Sequence, residues 1–107
     1  MNVYQIALPS VQFNGLPDAS QRRQWTTKAL NDAGGLTYLG AREGAWISDD
    51  GELFEETMHW YEVACGRNQW DALVAYAFQL FPNEQAIYTA RVGECEIITR
   101  PTVSGGE

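Results

Sequence analysis

The sequence is poor in positive charge and in histidine, and it has no long apolar run. Its 107 residues hold 7 Lys and Arg against 14 Asp and Glu, a formal net charge of −7, and one His. Proteins that bind the nucleic-acid backbone use Lys and Arg to displace counterions, so we expect no direct binding to nucleic acid. No apolar stretch approaches the roughly 20 residues that cross a bilayer, and the first residues lack the pattern of a secretion signal. We therefore expect a cytoplasmic protein with no membrane contact.

Cysteine is also scarce. Cys65 and Cys95 are too few for a disulfide framework, and they lack the Cys and His spacing of a zinc site. We expect two free thiols, and the sequence shows no motif for a metal ion or a cofactor.

The chain has the composition of one ordinary folded domain. Its length is close to the commonest domain size, and 45% of its residues are hydrophobic and 12% aromatic. We expect a single α+β domain over residues 1–98. The polar residues 99–107 predict a flexible C-terminal tail.

Periodicity and turn signals predict the order of the helices and strands. A helix capped by Asp18 and a second helix capped by Asn68 separate the strands, and the second helix ends before Pro82. Gly40 and Gly44 predict a bulge, and residues 49–52 predict a tight hairpin turn. The predicted strands cover residues 2–8, 36–39 with 45–48, 53–65, 85–92 and 95–98, and the first helix covers 19–33. This order predicts a ferredoxin-like βαββαβ sandwich with sheet order 4-1-3-2, two helices on one face and an extra short C-terminal strand.

Negative charge is concentrated on the predicted hairpin. Residues 49–62 hold six carboxylates and no Lys or Arg. One interpretation is a solvated sheet edge that resists aggregation, and the other is a docking surface for a basic partner. The six are Asp49, Asp50, Glu52, Glu55, Glu56 and Glu62.

The four tryptophans fall into two classes. Trp25 and Trp70 lie on apolar helix faces and are predicted to be core residues. Trp46 and Trp60, on strands beside the acidic residues, are predicted to be partly exposed. Aromatic rings beside charge are typical of interface hot spots, and core packing is the alternative interpretation.

His59 is the one side chain whose ordinary pKa lies near neutrality. Together with Tyr61 it is a candidate ligand site or general base on a strand face. The alternative is a half-buried strand histidine with no chemical role. No catalytic residue can be assigned, because a single histidine without a nucleophile motif is not a catalytic triad.

Spacing over residues 30–92 resembles that of small uncharacterised bacterial and phage proteins of ferredoxin-like type. The likeness lies in Gly34-Gly35-Leu36-Thr37, Gly44-x-Trp46, Gly51, Glu55 or Glu56, Tyr61-Glu62-Val63, the second helix and Gln85-Ala86-Ile87-Tyr88. Size and acidity are also similar to those of phage and plasmid proteins that block host defence, including anti-CRISPR proteins.

These observations favour a non-catalytic acidic interaction protein. The resemblance implies a phage- or plasmid-encoded inhibitor that binds a basic, nucleic-acid-binding surface of a host defence complex. Its predicted partner-binding residues are Asp49, Asp50, Glu52, Glu55, Glu56, Trp46 and Trp60. The alternative is a small dimeric ferredoxin-like enzyme or ligand-binding protein that uses His59 and Tyr61, so enzymatic activity and a homodimer stay open.

Overall fold

The computed structural model describes residues 1–10, 19–84 and 86–101. Four strands form one antiparallel sheet in the order β2-β3-β1-β4. Both helices pack on one face of this sheet, and the other face is called the open face below. The elements are β1 (Asn2–Pro9), α1 (Ala19–Ala33), β2 (Thr37–Ile47), β3 (Leu53–Cys65), α2 (Arg67–Leu80) and β4 (Thr89–Glu94). The α+β ferredoxin-like architecture and its sheet order are therefore confirmed.

The core lies between the helices and the part of the sheet they cover. Alternate residues of β1 and β3 point into it because successive side chains of a strand face opposite sides. Trp25 lies at its centre, and the indole Nε1 donates a hydrogen bond to the Leu73 carbonyl at 2.9 Å. Burial of both Trp25 and Trp70 is confirmed. The core residues are Tyr4, Ile6, Leu8, Trp25, Ala29, Tyr61, Val63, Cys65, Trp70, Leu73, Ala77 and Phe81.

The first helix ends where the glycines predict. Gly34 has a φ of 83°, a conformation that favours glycine, and its N–H donates to the Leu30 carbonyl at 2.9 Å. The predicted Asp18 cap lies outside the described residues.

The predicted Asn68 cap of the second helix is wrong, because Gly66 is the N-cap and the helix starts at Arg67. The Gln69 side chain closes this end, since its Oε1 accepts from the Gly66 N–H at 3.0 Å. Its Nε2 also donates to the Asp32 carbonyl at 2.9 Å, which ties the start of α2 to the end of α1. Pro82 follows the last turn, as predicted.

The two predicted segments of the second strand are one strand, β2, which pairs with β3 along its length. The predicted bulge occurs at its inner end: the register shifts between Tyr38 and Gly40, and Gly40 has a φ of 104°. The predicted tight turn is confirmed, with Gly51 at a φ of 85° and its N–H donating to the Ser48 carbonyl at 2.9 Å.

The C-terminal prediction is wrong in two respects. β4 runs later than the predicted strand, so Gly93 and Glu94 pair with β1 instead of forming a turn. Residues 95–98 form no strand. Beyond Glu94 the described contact with β1 is the hydrogen bond that the Cys95 N–H donates to the Met1 carbonyl at 3.0 Å. Gln85 and residues 102–107 of the predicted tail lie outside the described residues, and both cysteines are free, as expected.

The β2–β3 hairpin extends beyond the rest of the sheet. β1 ends at Pro9, which pairs with Met58, so residues 43–57 form a two-stranded ribbon that we call the outer hairpin. Residues 41–47 of β2 are all exposed. The remainder of the four strands is called the inner sheet.

Candidate functional site

The outer hairpin carries apolar side chains on both faces. On the open face Trp46 stacks on Phe54, with ring centroids 4.6 Å apart and an interplanar angle of 15°. On the helix side Ile47 lies opposite Leu53, and these side chains are 69% and 59% exposed. Neither pair is covered by a described helix. Large exposed apolar clusters mark sites that are covered by a protein partner, a membrane or a ligand, or sites that are liable to aggregate.

The aromatic surface continues across the open face of the inner sheet. The Trp60 ring lies 5.2 Å from the Tyr88 ring, and the Arg42 guanidinium lies 5.7 Å from the Trp60 centroid. Trp60 pairs with Ala7, which is almost fully buried. The expected partial exposure of Trp46 and Trp60 is confirmed, and both lie on the open face. Trp46, Phe54, Trp60 and Tyr88 together make up this aromatic surface.

The acidic residues do not share one surface. Glu55 lies on the helix side of β3 and Glu56 on the open face, because they are neighbours in a strand. Asp49 and Asp50 lie in the turn, followed by Glu52. The predicted docking surface is thus divided between two faces and a loop.

Asp50 has a structural role in the turn. Its carboxylate accepts hydrogen bonds from the Ser48 hydroxyl and from the Glu52 N–H, the latter at 3.3 Å. The Ser48 bond, followed by the Glu52 bond, lowers the pKa of Asp50 below its usual value. These hydrogen bonds explain why an aspartate precedes Gly51, and this explanation needs no partner protein.

His59 and Tyr61 lie on the helix side of β3, but they have different environments. Tyr61 belongs to the core and lies 5.8 Å from the Trp25 ring centroid. His59 is half-buried, and its Nδ1 lies 2.8 Å from the Tyr38 hydroxyl oxygen. The Tyr38 ring stacks on the imidazole at 5.9 Å and also contacts Tyr61 at 5.3 Å. The polar groups of this site are therefore the Tyr38 hydroxyl and the His59 imidazole, called the Tyr38–His59 pair below. The ring of Tyr38 packs against the ring of Tyr61.

The imidazole favours its neutral form. Burial lowers the pKa of His59 below 6.5, and the positive charge of Arg22 lowers it further. Arg22 is held by the end of β1, since its terminal nitrogen donates to the carbonyls of Pro9 at 3.1 Å and Ser10 at 3.2 Å. A neutral imidazole beside a phenol can donate and accept hydrogen bonds at the same time.

The sequence did not identify Tyr38, and the bulge explains why. From Gly40 to Ile47 the register of β2 places Ala41 opposite His59, and continuing it would place Leu39 opposite Tyr61. The one-residue shift at Gly40 puts Tyr38 there instead, on the same face as His59, because a shift of one residue reverses the faces. Gly40 was the available signal, but sequence alone did not fix the size of the shift.

The ligand-binding interpretation predicts a concave site around His59. Within the described ranges, one cavity of about 550 Å³ lies between α1 and α2, and a second of about 200 Å³ lies between α2 and β4. Neither is lined by His59 or Tyr61. No group of three or more His, Cys, Asp or Glu among the described residues is placed to hold a metal ion.

No protein-family model matches the chain, and a search of curated proteins finds no match. Solved structures do match. The divalent cation tolerance protein CutA1 of Thermus thermophilus superimposes with a TM-score of 0.68 at 14% identity, over 91% of this chain and 86% of that one. The fold is that of the CutA1 proteins. A point variant of CutA1 from Pyrococcus horikoshii gives 0.64 at 11% identity, over 92% and 87% of the two chains. The periplasmic divalent cation tolerance protein CutA of Archaeoglobus fulgidus gives 0.64 at 11%, over 94% and 86%.

These matches correct the sequence-based resemblance. The neighbours are CutA1 divalent cation tolerance proteins, so the likeness to uncharacterised phage proteins and to anti-CRISPR proteins is wrong. The predicted function as a phage or plasmid inhibitor that docks on a basic surface is wrong with it. At 11–14% identity the matches establish the fold alone.

No helix among the described residues is long and apolar enough to span a bilayer. One CutA1 neighbour is described as periplasmic, so the fold does not restrict the protein to the cytoplasm.

Proposed function

We propose that this protein is a homo-oligomeric ligand-binding protein, whose copies pack through the outer hairpin and whose ligand binds beside the Tyr38–His59 pair. The observation that supports it most is the outer hairpin itself. A two-stranded ribbon is marginally stable in water, yet this one exposes Trp46, Ile47 and Leu53. A second copy that covers these side chains would bury them and stabilise the ribbon.

The position of His59 links assembly to ligand binding. Thr57 and His59 lie at the boundary between the outer hairpin and the inner sheet, on the same side as Ile47 and Leu53. A copy that covers Ile47 and Leu53 therefore lies next to the Tyr38–His59 pair. The predicted concave site would form between the pair and that second copy.

Divalent cations, named in the descriptions of the CutA1 neighbours, do not fit the donors of one described chain. The Nδ1 of His59 faces the Tyr38 hydroxyl, and no set of three candidate donors surrounds any point in the described residues. Three or four protein donors are typical of transition-metal sites. We therefore propose a small polar ligand that donates hydrogen bonds to, and accepts them from, the Tyr38 phenol and the neutral His59 imidazole. We also propose that the protein is cytoplasmic.

Assembly is tested with the double variant Ile47→Glu/Leu53→Glu. Both side chains are exposed in one chain, so the protomer should fold normally, while two buried charges would disrupt an interface. Sedimentation equilibrium should give an oligomer for the wild type and a monomer for the variant. Phe78→Glu, an exposed apolar residue on α2, is the matched control and should stay oligomeric. A monomeric wild type would overturn the proposal.

Ligand binding is tested through the proton resonances of the single imidazole. Panels of small carboxylates, phosphates and aromatic amines are titrated while the His59 ring signals are recorded. At least one class should shift these signals, and Tyr38→Phe should weaken that effect because it removes the hydroxyl bonded to Nδ1. No shift by any class, with the protein oligomeric, would leave assembly standing and contradict the ligand site.

A further inference from the structure

The cavity between α2 and β4 has features of a binding site that is separate from the Tyr38–His59 pair. It encloses about 200 Å³ and lies against Tyr4 and Trp70. These two rings stack at 4.8 Å with an interplanar angle of 7°, so this wall is rigid. Arg67 and Asp71 of α2 also line it, together with Thr89 and Arg91 of β4.

A directed chain of hydrogen bonds runs into this cavity. The Arg91 Nε donates to Asn2 Oδ1 at 3.3 Å, and the Asn2 Nδ2 then donates to the Tyr4 hydroxyl oxygen at 3.3 Å. Because Asn2 Oδ1 already accepts from Arg91, the amide orientation is fixed and the Tyr4 oxygen acts as an acceptor. The Tyr4 hydroxyl can therefore donate its own proton to another acceptor.

That proton has no acceptor in the part of the chain that the structure describes. Tyr4 is 1% exposed, so bulk water does not readily serve it. A buried donor without a partner costs free energy, and each such group calls for an explanation such as a bound molecule. The oxygen atom that completes the chain would lie in the cavity that Tyr4 lines.

The charges around the cavity indicate which kind of oxygen this is. Arg67 pairs through its Nε with the Asp71 carboxylate at 2.9 Å, and Arg91 uses its Nε for Asn2. Among residues 1–10, 19–84 and 86–101, no acceptor is assigned to the terminal nitrogens of either guanidinium. Two of the seven basic residues of a chain with a net charge of −7 thus line one small cavity, and Asp71 is the one carboxylate among the described residues that line it, so the charge of this lining is net positive. Guanidinium groups bind carboxylates and phosphates in this way.

We propose that the cavity between α2 and β4 binds a small oxyanion, a carboxylate or a phosphate, that accepts the Tyr4 hydroxyl proton and pairs with Arg91 and Arg67. The volume of this cavity limits the size of the ligand, since cavities for drug-sized molecules run from about 300 to 1,000 Å³. The site lies at the β4 edge of the sheet, whereas the Tyr38–His59 pair lies on β2 and β3 toward the other edge, and it does not depend on the proposed function.

The test uses inorganic phosphate and succinate as probes of the full chain, at constant ionic strength set with chloride. Binding is followed by the Trp70 indole N–H resonance, which reports on the cavity, and by calorimetry. The wild type should bind at least one probe with saturation. Tyr4→Phe keeps the stacked ring and removes the donor, so it should weaken binding about tenfold, the effect of one hydrogen bond to a charged group.

Arg91→Gln should also weaken binding about tenfold, and it lies on an exposed edge strand where it does not threaten folding. Arg23→Gln is the matched control, because it removes one positive charge from the exposed surface of α1 and should leave affinity within twofold. Saturation by phosphate alone or by succinate alone would identify the source of the oxyanion. The proposal is overturned if neither probe binds, or if Arg23→Gln weakens binding as much as Tyr4→Phe and Arg91→Gln do.

Discussion

One strand, β3, passes through two regions that bury their side chains very differently. In the inner sheet its alternate residues Tyr61, Val63 and Cys65 are buried under the helices. In the outer hairpin the same alternation continues to Leu53, which is 59% exposed. Leu53 is as apolar as Val63, so its exposure arises from the missing helix cover and from β1, which ends opposite Met58.

This difference separates the part of the chain that stabilises its own fold from the part that is available for association. The helices and the inner sheet share one core around Trp25, and its burial accounts for the folding of the protomer. The outer hairpin contributes apolar surface that no described part of its own chain covers. Edge strands and ribbons of this kind are aggregation hazards unless they are covered, so an assembly through the hairpin would remove a liability.

Replacing a tryptophan by alanine in each region is the strongest way to break this comparison. Trp25→Ala should lower the free energy of unfolding by about 3–5 kcal/mol, because a buried ring and its bond to the Leu73 carbonyl are lost. Trp46→Ala should cost about 0.5–1.5 kcal/mol, the range for an aromatic pair such as Trp46 and Phe54. Urea unfolding measures both.

These measurements belong in the Ile47→Glu/Leu53→Glu background, so that protomer stability is not mixed with assembly. Equal losses for the two tryptophans would show that the outer hairpin is part of the folding unit. The distinction between the two regions would then be wrong.

Two glycines of β2 sharpen the comparison where the regions meet. Gly40 has a φ of 104°, so Gly40→Ala should destabilise the protomer by about 1–2 kcal/mol through backbone strain. Gly44 lies in the outer hairpin without a positive φ, and a Cβ added there meets the Glu56 carbonyl at an ordinary 4.0 Å. Gly44→Ala is thus the matched control and should change stability by less than about 0.5 kcal/mol.

Gly40→Ala has a second readout at the Tyr38–His59 pair. If the bulge places Tyr38 beside His59, disturbing it should shift the His59 ring resonances, and Gly44→Ala should leave them unchanged. Intact His59 signals in a destabilised Gly40→Ala protein would mean that the pair does not depend on the bulge.

Local rules predicted much of the fold, because helix periodicity, the Asp50–Gly51 turn and alternation in β3 act over a few residues. They failed where long-range pairing decides. Residues 95–98 have strand-like composition but form no strand. The N-cap of α2 is Gly66 instead of Asn68, because the Gln69 side chain closes this end and also binds α1. Residue type made His59 and Tyr61 candidates, whereas the position of Tyr38 beside them depends on a register shift.

The pH dependence of His59 gives the smallest effect and probes the boundary itself. Burial and then Arg22 lower the pKa of His59 in the folded chain below 6.5, its value in the unfolded chain. As pH falls below 6.5 the unfolded chain takes up the proton first, so stability present above pH 6.5 is lost as pH falls through the folded pKa. His59→Gln should flatten this part of the stability curve, and an imidazole titration followed by NMR gives the folded pKa directly. Arg22→Gln should raise that pKa part of the way, while Arg23→Gln on the exposed side of α1 should not. A folded pKa at or above 6.5 would show that His59 is as solvated as the outer hairpin, and the boundary would then lie closer to the helices than the fold indicates.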